Sequence, residues 1–186
     1  DAMKYFIIFG LLIFLGVMFY IDLVQFFMPA KYYVGIDVVP IVMMGQLFFG
    51  IFFNLSLWYK LTDKTQWGAW FSLFGFIITI IINVVFVPQY GYMACAWAAF
   101  ICYLCMMLAS YFIGQHNYPI NYDLKSIALY TALAGILYLI NNTVTIDNLI
   151  LRLLFRTILL ATFIICFIHR DLPLKEIPIV NRWIKR

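Results

Sequence analysis

Long hydrophobic runs make up most of the chain, and short polar segments separate them. Two of these runs, residues 68–87 and 93–113, contain no charged residue and flank the segment Pro88-Gln89-Tyr90-Gly91-Tyr92. A run of about 20 residues forms an α-helix roughly 30 Å long, which matches the hydrocarbon thickness of a bilayer. The pattern therefore predicts a transmembrane helical hairpin with its turn at residues 88–92.

Small and polar side chains recur along one face of each predicted hairpin helix. Their spacing follows the helical period. The members are Gly68, Ser72, Gly75, Thr79 and Asn83 in the first helix, and Cys95, Ala98, Cys102, Cys105 and Ala109 in the second. Small residues let helix backbones approach closely in lipid. We therefore expect these faces to pack against protein and the bulky faces to contact lipid.

The whole chain carries six such runs. They lie at about residues 5–28, 38–59, 68–87, 93–113, 127–144 and 149–168. Pro29 closes the first run, and Pro40 lies in the first turn of the second, where a missing N–H costs little. The sequence predicts an all-α polytopic membrane protein, with a six-span membrane domain at 1–169. Residues 170–186 are predicted to form a basic tail at the cytoplasmic membrane surface.

Composition supports a membrane protein and excludes several other classes. Hydrophobic residues make up 66% of the 186 residues and charged residues 11%, against roughly 45–50% and 25% in globular domains. The net charge of +4 is too small and scattered to indicate a nucleic-acid partner. All four cysteines lie inside apolar runs, so no disulfide framework is implied. The chain begins at Asp1 rather than Met, which leaves open that it is a piece of a longer protein.

The basic residues predict an orientation. Six spans place both termini on one side, and nine of the twelve basic residues fall on that side. The nine are Lys4, Lys60, Lys64, Lys125, Arg170, Lys175, Arg182, Lys185 and Arg186, against Lys31, Arg152 and Arg156. By the positive-inside rule both termini are predicted to be cytoplasmic. Interface belts are predicted from the aromatic residues Trp58, Tyr59, Trp67 and Trp70 at the cytoplasmic boundary, and Tyr32, Tyr33, Tyr90 and Tyr92 at the outer one.

One carboxylate, Asp22, falls inside a predicted span. It lies six residues before Met28, roughly 9 Å from the outer end of that span. An ionisable group in a span is a functional candidate, so Asp22 is our candidate for coupling transport to a proton or cation. The alternative is a hydrated carboxylate, or one paired with a neighbouring helix. With no embedded acid pair, phosphate loop or nucleophile beside a base, the sequence predicts neither an enzyme nor a cofactor.

Two arginines, Arg152 and Arg156, are one helical turn apart in the last span and share a face. Arg152 is close enough to the outer surface to extend its charged end into water. Arg156 lies seven residues into the span, roughly 10 Å deep. Two interpretations remain open for Arg156: extension to the surface, or a contact with an anion in a cavity, for which the planar guanidinium is suited.

The second span carries Gln46, Gly50 and Asn54 on one face. These residues either line a polar cavity that binds sugar hydroxyls or bond across to Thr79 and Asn83 on a neighbouring helix. The CxxC pattern at Cys102 and Cys105 has no second pair and lies in a span, which favours helix packing over a redox or metal role. Because the two histidines, His116 and His169, also lack metal-ligand spacing, no metal site is predicted.

Three stretches together resemble one family of membrane proteins. They are Ile82-Asn83-Val84-Val85-Phe86-Val87-Pro88-Gln89-Tyr90-Gly91-Tyr92-Met93-Ala94-Cys95-Ala96-Trp97-Ala98, Val38-Val39-Pro40-Ile41, and Tyr59-Lys60-Leu61-Thr62-Asp63-Lys64-Thr65. In order and spacing they resemble bacterial polysaccharide flippases of the Wzx-like, O-antigen type, in the multidrug/oligosaccharidyl-lipid/polysaccharide (MOP) superfamily. The resemblance covers the whole chain, aligned with the last six spans of a family whose members have about 12 to 14.

The resemblance implies a MATE-like half with flanking helices, in the C-terminal portion of a flippase for polysaccharide biosynthesis. Such a protein moves undecaprenyl-pyrophosphate-linked sugars across the inner membrane by alternating access. Gln46, Asn54 and Asn83 would then be substrate-cavity candidates, and Arg156 a candidate contact for the pyrophosphate. The implied partners are the lipid-linked oligosaccharide and membrane lipids, with polysaccharide polymerases or glycosyltransferases as further candidates. The alternatives are a drug or solute antiporter of the same superfamily, or a scaffold subunit that transports nothing.

Overall fold

The computed structural model describes residues 2–27, 29–120, 122–144 and 148–171. These residues form eight α-helices, one 3₁₀ helix and no strand. The helices are α1 (Ala2–Phe19), α2 (Ile21–Phe27), the 3₁₀ helix (Ala30–Val38), α3 (Val39–Leu55), α4 (Leu57–Leu61), α5 (Gln66–Tyr90), α6 (Tyr92–Asn117), α7 (Leu124–Thr143) and α8 (Leu149–Asp171).

Six helical segments among the described residues are long and apolar enough to cross a bilayer. They are Ala2–Phe19, Gly35–Leu61, Gln66–Tyr90, Tyr92–Asn117, Leu124–Thr143 and Ile150–Asp171. Each overlaps one of the six runs read from the sequence. The prediction of an all-α polytopic membrane protein is therefore confirmed, although several helix ends differ from the predicted ones. The predicted basic tail at 170–186 lies outside the described residues except for its first two positions.

The chain divides into two compact units. Of the described residues, the first unit comprises 2–7, 29–120 and 122–123, and the second comprises 8–27, 124–144 and 148–171. In the first unit α6 packs against both α3 and α5. In the second unit α7 contacts α8, and aromatic pairs join both of them to α1.

Glycines allow α6 to approach its two neighbours closely. A Cβ added at Gly45 of α3 would lie 3.3 Å from the Cα of Phe100 on α6. At Gly75 of α5, an added Cβ would lie 3.0 Å from the sulfur of Cys102 and would also contact the sulfur of Met106. The Cys102 thiol donates a hydrogen bond to the Gly75 carbonyl at 3.3 Å. The predicted packing of the small-residue faces is thus confirmed at Gly75 and Cys102.

The predicted turn at residues 88–92 is wrong in extent. Helix α5 continues through Pro88 to Tyr90, and Gly91 alone separates it from α6. Proline removes one amide donor from the helix, but the Gly91 amide closes the last turn by donating to the Val87 carbonyl at 2.9 Å. Gly91 has φ +57° and ψ −138°, a conformation that L side chains rarely adopt. The chain direction therefore reverses at a single glycine.

The predicted interface belt is wrong for Trp58 and Tyr59. The Trp58 side chain is 1% exposed and the Tyr59 side chain 6% exposed, and both belong to the aromatic core of the first unit. Helix α3 ends before Ser56, whose hydroxyl donates to the Phe53 carbonyl at 2.6 Å, and α4 then carries both rings into the core. The Trp58 indole fits because position 114 is glycine: a Cβ there would lie 2.9 Å from its Nε1.

In the second unit, α1, α7 and α8 meet through aromatic side chains. Phe14 of α1 lies 5.7 Å from Tyr138 of α7 between ring centroids, and Phe9 of α1 lies 6.0 Å from Phe167 of α8. The Tyr130 hydroxyl donates to the carboxylate of Asp171 at the end of α8. This packing brings the polar residues of α2, α7 and α8 together.

Candidate functional site

Three charged side chains meet in the second unit. Asp22 is the second residue of α2, and Arg152 and Arg156 lie on the first two turns of α8. The Asp22 Oδ2 lies 2.7 Å from the Arg156 Nη1 and 3.2 Å from the Arg152 Nε. We call these three residues the charge cluster. One carboxylate oxygen is thus shared between two guanidinium groups.

Arg156 is almost enclosed and bonds three different acceptors. Its Nη1 donates to the Asp22 carboxylate at 2.7 Å and to the Phe19 carbonyl at 2.8 Å, and its Nε donates to the Asn141 Oδ1 at 2.9 Å. The residue is 9% exposed. Burial of an unpaired guanidinium would be costly, and these acceptors compensate for it. Arg156 therefore joins the end of α1 to α2, α7 and α8.

The same arginine accounts for the break between α1 and α2. In an unbroken helix the Phe19 carbonyl would accept the Leu23 amide. Here the Leu23 amide donates instead to the Tyr20 carbonyl at 3.0 Å, while the Phe19 carbonyl accepts from Arg156. A side chain inserted into the backbone ladder is a known cause of a kink. The single span predicted at 5–28 is therefore two helices, broken at Tyr20.

Tyr20 makes a second connection from this break to α8. Its hydroxyl lies 2.8 Å from the Thr157 Oγ1. The Thr157 hydroxyl hydrogen is already donated to the Leu153 carbonyl at 2.7 Å. Tyr20 is consequently the donor in the Tyr20–Thr157 bond, which fixes the broken segment against α8 beside the charge cluster.

The charge cluster carries an excess of positive charge. Two arginines and one aspartate give a formal charge of +1, and the positive end of the α8 dipole lies at the same helix terminus. The two arginines differ in access: the Arg152 side chain is 34% exposed and the Arg156 side chain 11%. Within the described part of the chain, Asp22 is the one ionic partner of Arg152. Arg152 is therefore the member of the cluster that an incoming anion can reach.

The structure brings together two residues that the sequence singled out separately. Asp22 and Arg156 pair with each other, as in the alternative interpretation that Asp22 is paired with a neighbouring helix. Arg156 is not extended to the surface, and its guanidinium is occupied by protein acceptors. Sequence reasoning missed Asn141 and the Phe19 carbonyl. The sequence signal for Asn141 is an amide side chain at the end of an apolar run. A backbone carbonyl such as that of Phe19 has no sequence signal.

The remaining site candidates lie in the first unit. Gln46 is exposed on α3, and the Asn54 side-chain amide donates to the Gly50 carbonyl of its own helix at 3.1 Å. The Thr79 hydroxyl likewise bonds the carbonyl four residues earlier, as Ser and Thr commonly do in helices. The Asn83 Oδ1 is buried and accepts no hydrogen bond from any described residue. The alternative in which Asn54 bonds across to Thr79 or Asn83 is therefore not what the structure shows.

The CxxC pair and the histidines form no metal site in the described ranges. No group of three or more His, Cys, Asp or Glu side chains there could hold a metal ion. Cys102 is buried with its thiol on the Gly75 carbonyl, and Cys105 is half-buried on the same helix. The contact at Cys102 is one of helix packing.

Comparisons of the chain with protein-family models, with curated protein sequences and with solved structures find no match.

Proposed function

We propose that this chain is the C-terminal portion of a flippase for lipid-linked oligosaccharides in a bacterial inner membrane. The proposal starts from the sequence resemblance to polysaccharide flippases, and the six apolar helices are compatible with it. The substrate would be an undecaprenyl-pyrophosphate-linked sugar used in polysaccharide biosynthesis. Both termini of the chain would be cytoplasmic, as the basic residues predict.

The observation that carries the proposal is the net positive charge of the cluster. Charged residues inside membrane helices are costly and mark substrate or ion pathways. A pyrophosphate is an anion that crosses hydrocarbon only at a large desolvation cost. Arg152 is the most accessible member of the cluster, and its planar guanidinium can donate two parallel bonds to phosphate oxygens.

In this proposal the two arginines have different roles. Arg156 holds the cluster together through its three protein acceptors, and Arg152 contacts the pyrophosphate near the outer end of α8. Asp22 keeps both arginines in place and remains the candidate for ion coupling. Gln46, Asn54 and Asn83 remain candidates for contacts with sugar hydroxyls, of which Asn83 offers a buried acceptor without a described partner.

The test is complementation of a strain that lacks the gene. The wild-type protein, Arg152→Gln and the exposed control Lys125→Gln are expressed at levels matched by immunoblot, and lipid-linked oligosaccharide is extracted and quantified. We expect Arg152→Gln to accumulate lipid-linked oligosaccharide and lose surface polysaccharide, while Lys125→Gln behaves as wild type. Normal export with Arg152→Gln would mean that the charge cluster does not bind the transported substrate. Normal export in the deletion strain itself would reject the flippase function.

A further inference from the structure

A second polar site lies in the first unit, where the α4–α5 connection meets the end of α6. It is a cleft of about 540 Å³. Its lining residues are Asp63, Lys64, Gln66, Trp67, Trp70 and Asn117. The cleft combines an acid, a base, two amides and two indoles, which is an unusual set beside helices as apolar as α5 and α6. We call it the headgroup cleft, for the reason argued below.

The backbone around the headgroup cleft is well held. Asp63 adopts a left-handed conformation with φ 54°, and the Lys64 amide donates to the Tyr59 carbonyl at 2.9 Å. Behind the cleft, the Trp67 ring packs against two rings of the first unit. Its centroid lies 6.1 Å from that of the buried Trp58 and 5.9 Å from that of Phe71. One wall of the cleft is therefore fixed by the aromatic core.

The two charges of the cleft are adjacent in the chain but are not paired. Neither Asp63 nor Lys64 forms an ion pair with a described residue. The Trp70 side chain is 63% exposed, so its ring is accessible from the cleft side of α5. The cleft thus offers one negative group, one positive group and an open aromatic surface to a ligand.

We propose that the headgroup cleft binds a zwitterionic phospholipid headgroup, an alkylammonium joined to a phosphate as in phosphatidylethanolamine. The phosphate would contact Lys64, and the ammonium would contact Asp63 and the face of Trp70, which attracts cations. A ligand with a single charge would pair with either Asp63 or Lys64 and leave the other without an ionic partner. The ends of α5 and α6 at this cleft are predicted to leave the bilayer, where tryptophan is enriched and headgroups are available.

This proposal is independent of the flippase function, because it concerns a different unit and a different ligand. The test uses the full chain purified in detergent and native mass spectrometry with phosphatidylethanolamine and phosphatidylglycerol in competition. Both lipids carry a phosphate, but phosphatidylglycerol lacks the ammonium. We expect phosphatidylethanolamine to be retained about threefold more, the effect of one exposed ammonium site that the Asp63 carboxylate and the Trp70 ring form jointly.

Variants test which residues bind the ammonium and which bind the phosphate of the headgroup. Asp63→Asn and Trp70→Ala are each expected to abolish the preference for phosphatidylethanolamine, while Lys64→Gln lowers retention of both lipids. The matched controls are Lys125→Gln and Trp97→Ala, an exposed lysine and an exposed tryptophan away from the cleft, which are expected to leave retention and preference unchanged.

Two results would overturn the proposal. One is equal retention of the two lipids by the wild-type protein. The other is a preference that persists in both Asp63→Asn and Trp70→Ala. Size-exclusion chromatography and circular dichroism establish that each variant is folded, and Lys64→Arg, which keeps the charge, is expected to restore the retention that Lys64→Gln loses.

Discussion

Replacement of Arg156 by methionine tests the charge cluster most directly. The substitution keeps an unbranched apolar stem but removes the hydrogen bonds to Asp22, to the Phe19 carbonyl and to Asn141. Arg152 remains 3.2 Å from the Asp22 carboxylate, so that carboxylate keeps one ionic partner. The Phe19 carbonyl and the Asn141 amide lose their described donor.

The expected loss of stability can be worked from these contacts. Breaking a buried ion pair by removing one partner costs about 3–5 kcal/mol. The remaining Arg152 compensates part of the charge of Asp22, which places the expectation near the lower end, about 3 kcal/mol. For a chain of this length, each kcal/mol shifts Tm by about 2–4 °C. We therefore expect Arg156→Met to lower Tm by roughly 6–12 °C.

The assay is thermal unfolding of the purified protein in detergent, followed by tryptophan fluorescence. Arg152→Met is the matched control, because it removes the same group from the same helix at a more exposed position, and about 1 kcal/mol or less is expected from it. A double-mutant cycle with Asp22→Asn isolates the energy of the Asp22–Arg156 pair.

The reasoning fails if Arg156→Met is no less stable than Arg152→Met. It also fails if the double-mutant cycle gives no coupling between Asp22 and Arg156, since additivity would mean that the two side chains do not interact. In the first case the break at Tyr20 would need another cause than the bond from Arg156 to the Phe19 carbonyl.

Two further predictions concern packing and use the same unfolding assay. Gly75→Ala places a Cβ 3.0 Å from the sulfur of a cysteine on α6, and we expect it to lower the free energy of unfolding by about 1–3 kcal/mol. Gly135→Ala has nothing within 4 Å of the added Cβ, and we expect it to raise the free energy of unfolding by up to about 1 kcal/mol. Equal effects at the two glycines would contradict the close approach of α5 and α6. Trp58→Ala should cost about 3–5 kcal/mol and Trp70→Ala about 0.5 kcal/mol or less, because the first ring is buried and the second is exposed. A loss of stability at Trp70 as large as that at Trp58 would contradict this difference in exposure.

Most of the helical architecture could be predicted from run length and the lack of charge. The errors fall where a local signal competed with the helix. Pro88 suggested a turn, but within three residues of the end of α5 its missing N–H does not end the helix. Trp58 and Tyr59 are residue types that are typical of an interface belt. Their burial depends on the break at Ser56 and on the space left by Gly114, and Gly114 lies 56 residues after Trp58 in the chain.

The site was predictable residue by residue but not as an assembly. Asp22 and Arg156 stand out as charges in apolar runs, and each could be placed at a depth. Their pairing joins positions 134 residues apart, which helical periodicity cannot reveal. The acceptor on Phe19 is a backbone carbonyl, and such a group becomes available only when the helix is already broken. Periodicity predicts faces within a helix and does not predict which faces meet.

The one-residue turn at Gly91 gives the α5–α6 hairpin unusually long arms. They contain 25 and 26 residues, about 38 Å at 1.5 Å per residue, against a hydrocarbon layer of about 30 Å. A hairpin of this length either tilts in the bilayer or extends its ends into the headgroup layers. Because a single glycine joins the arms, both must adjust together. The tilt of the hairpin should therefore follow the thickness of the bilayer, with the arms most upright in the thickest membrane.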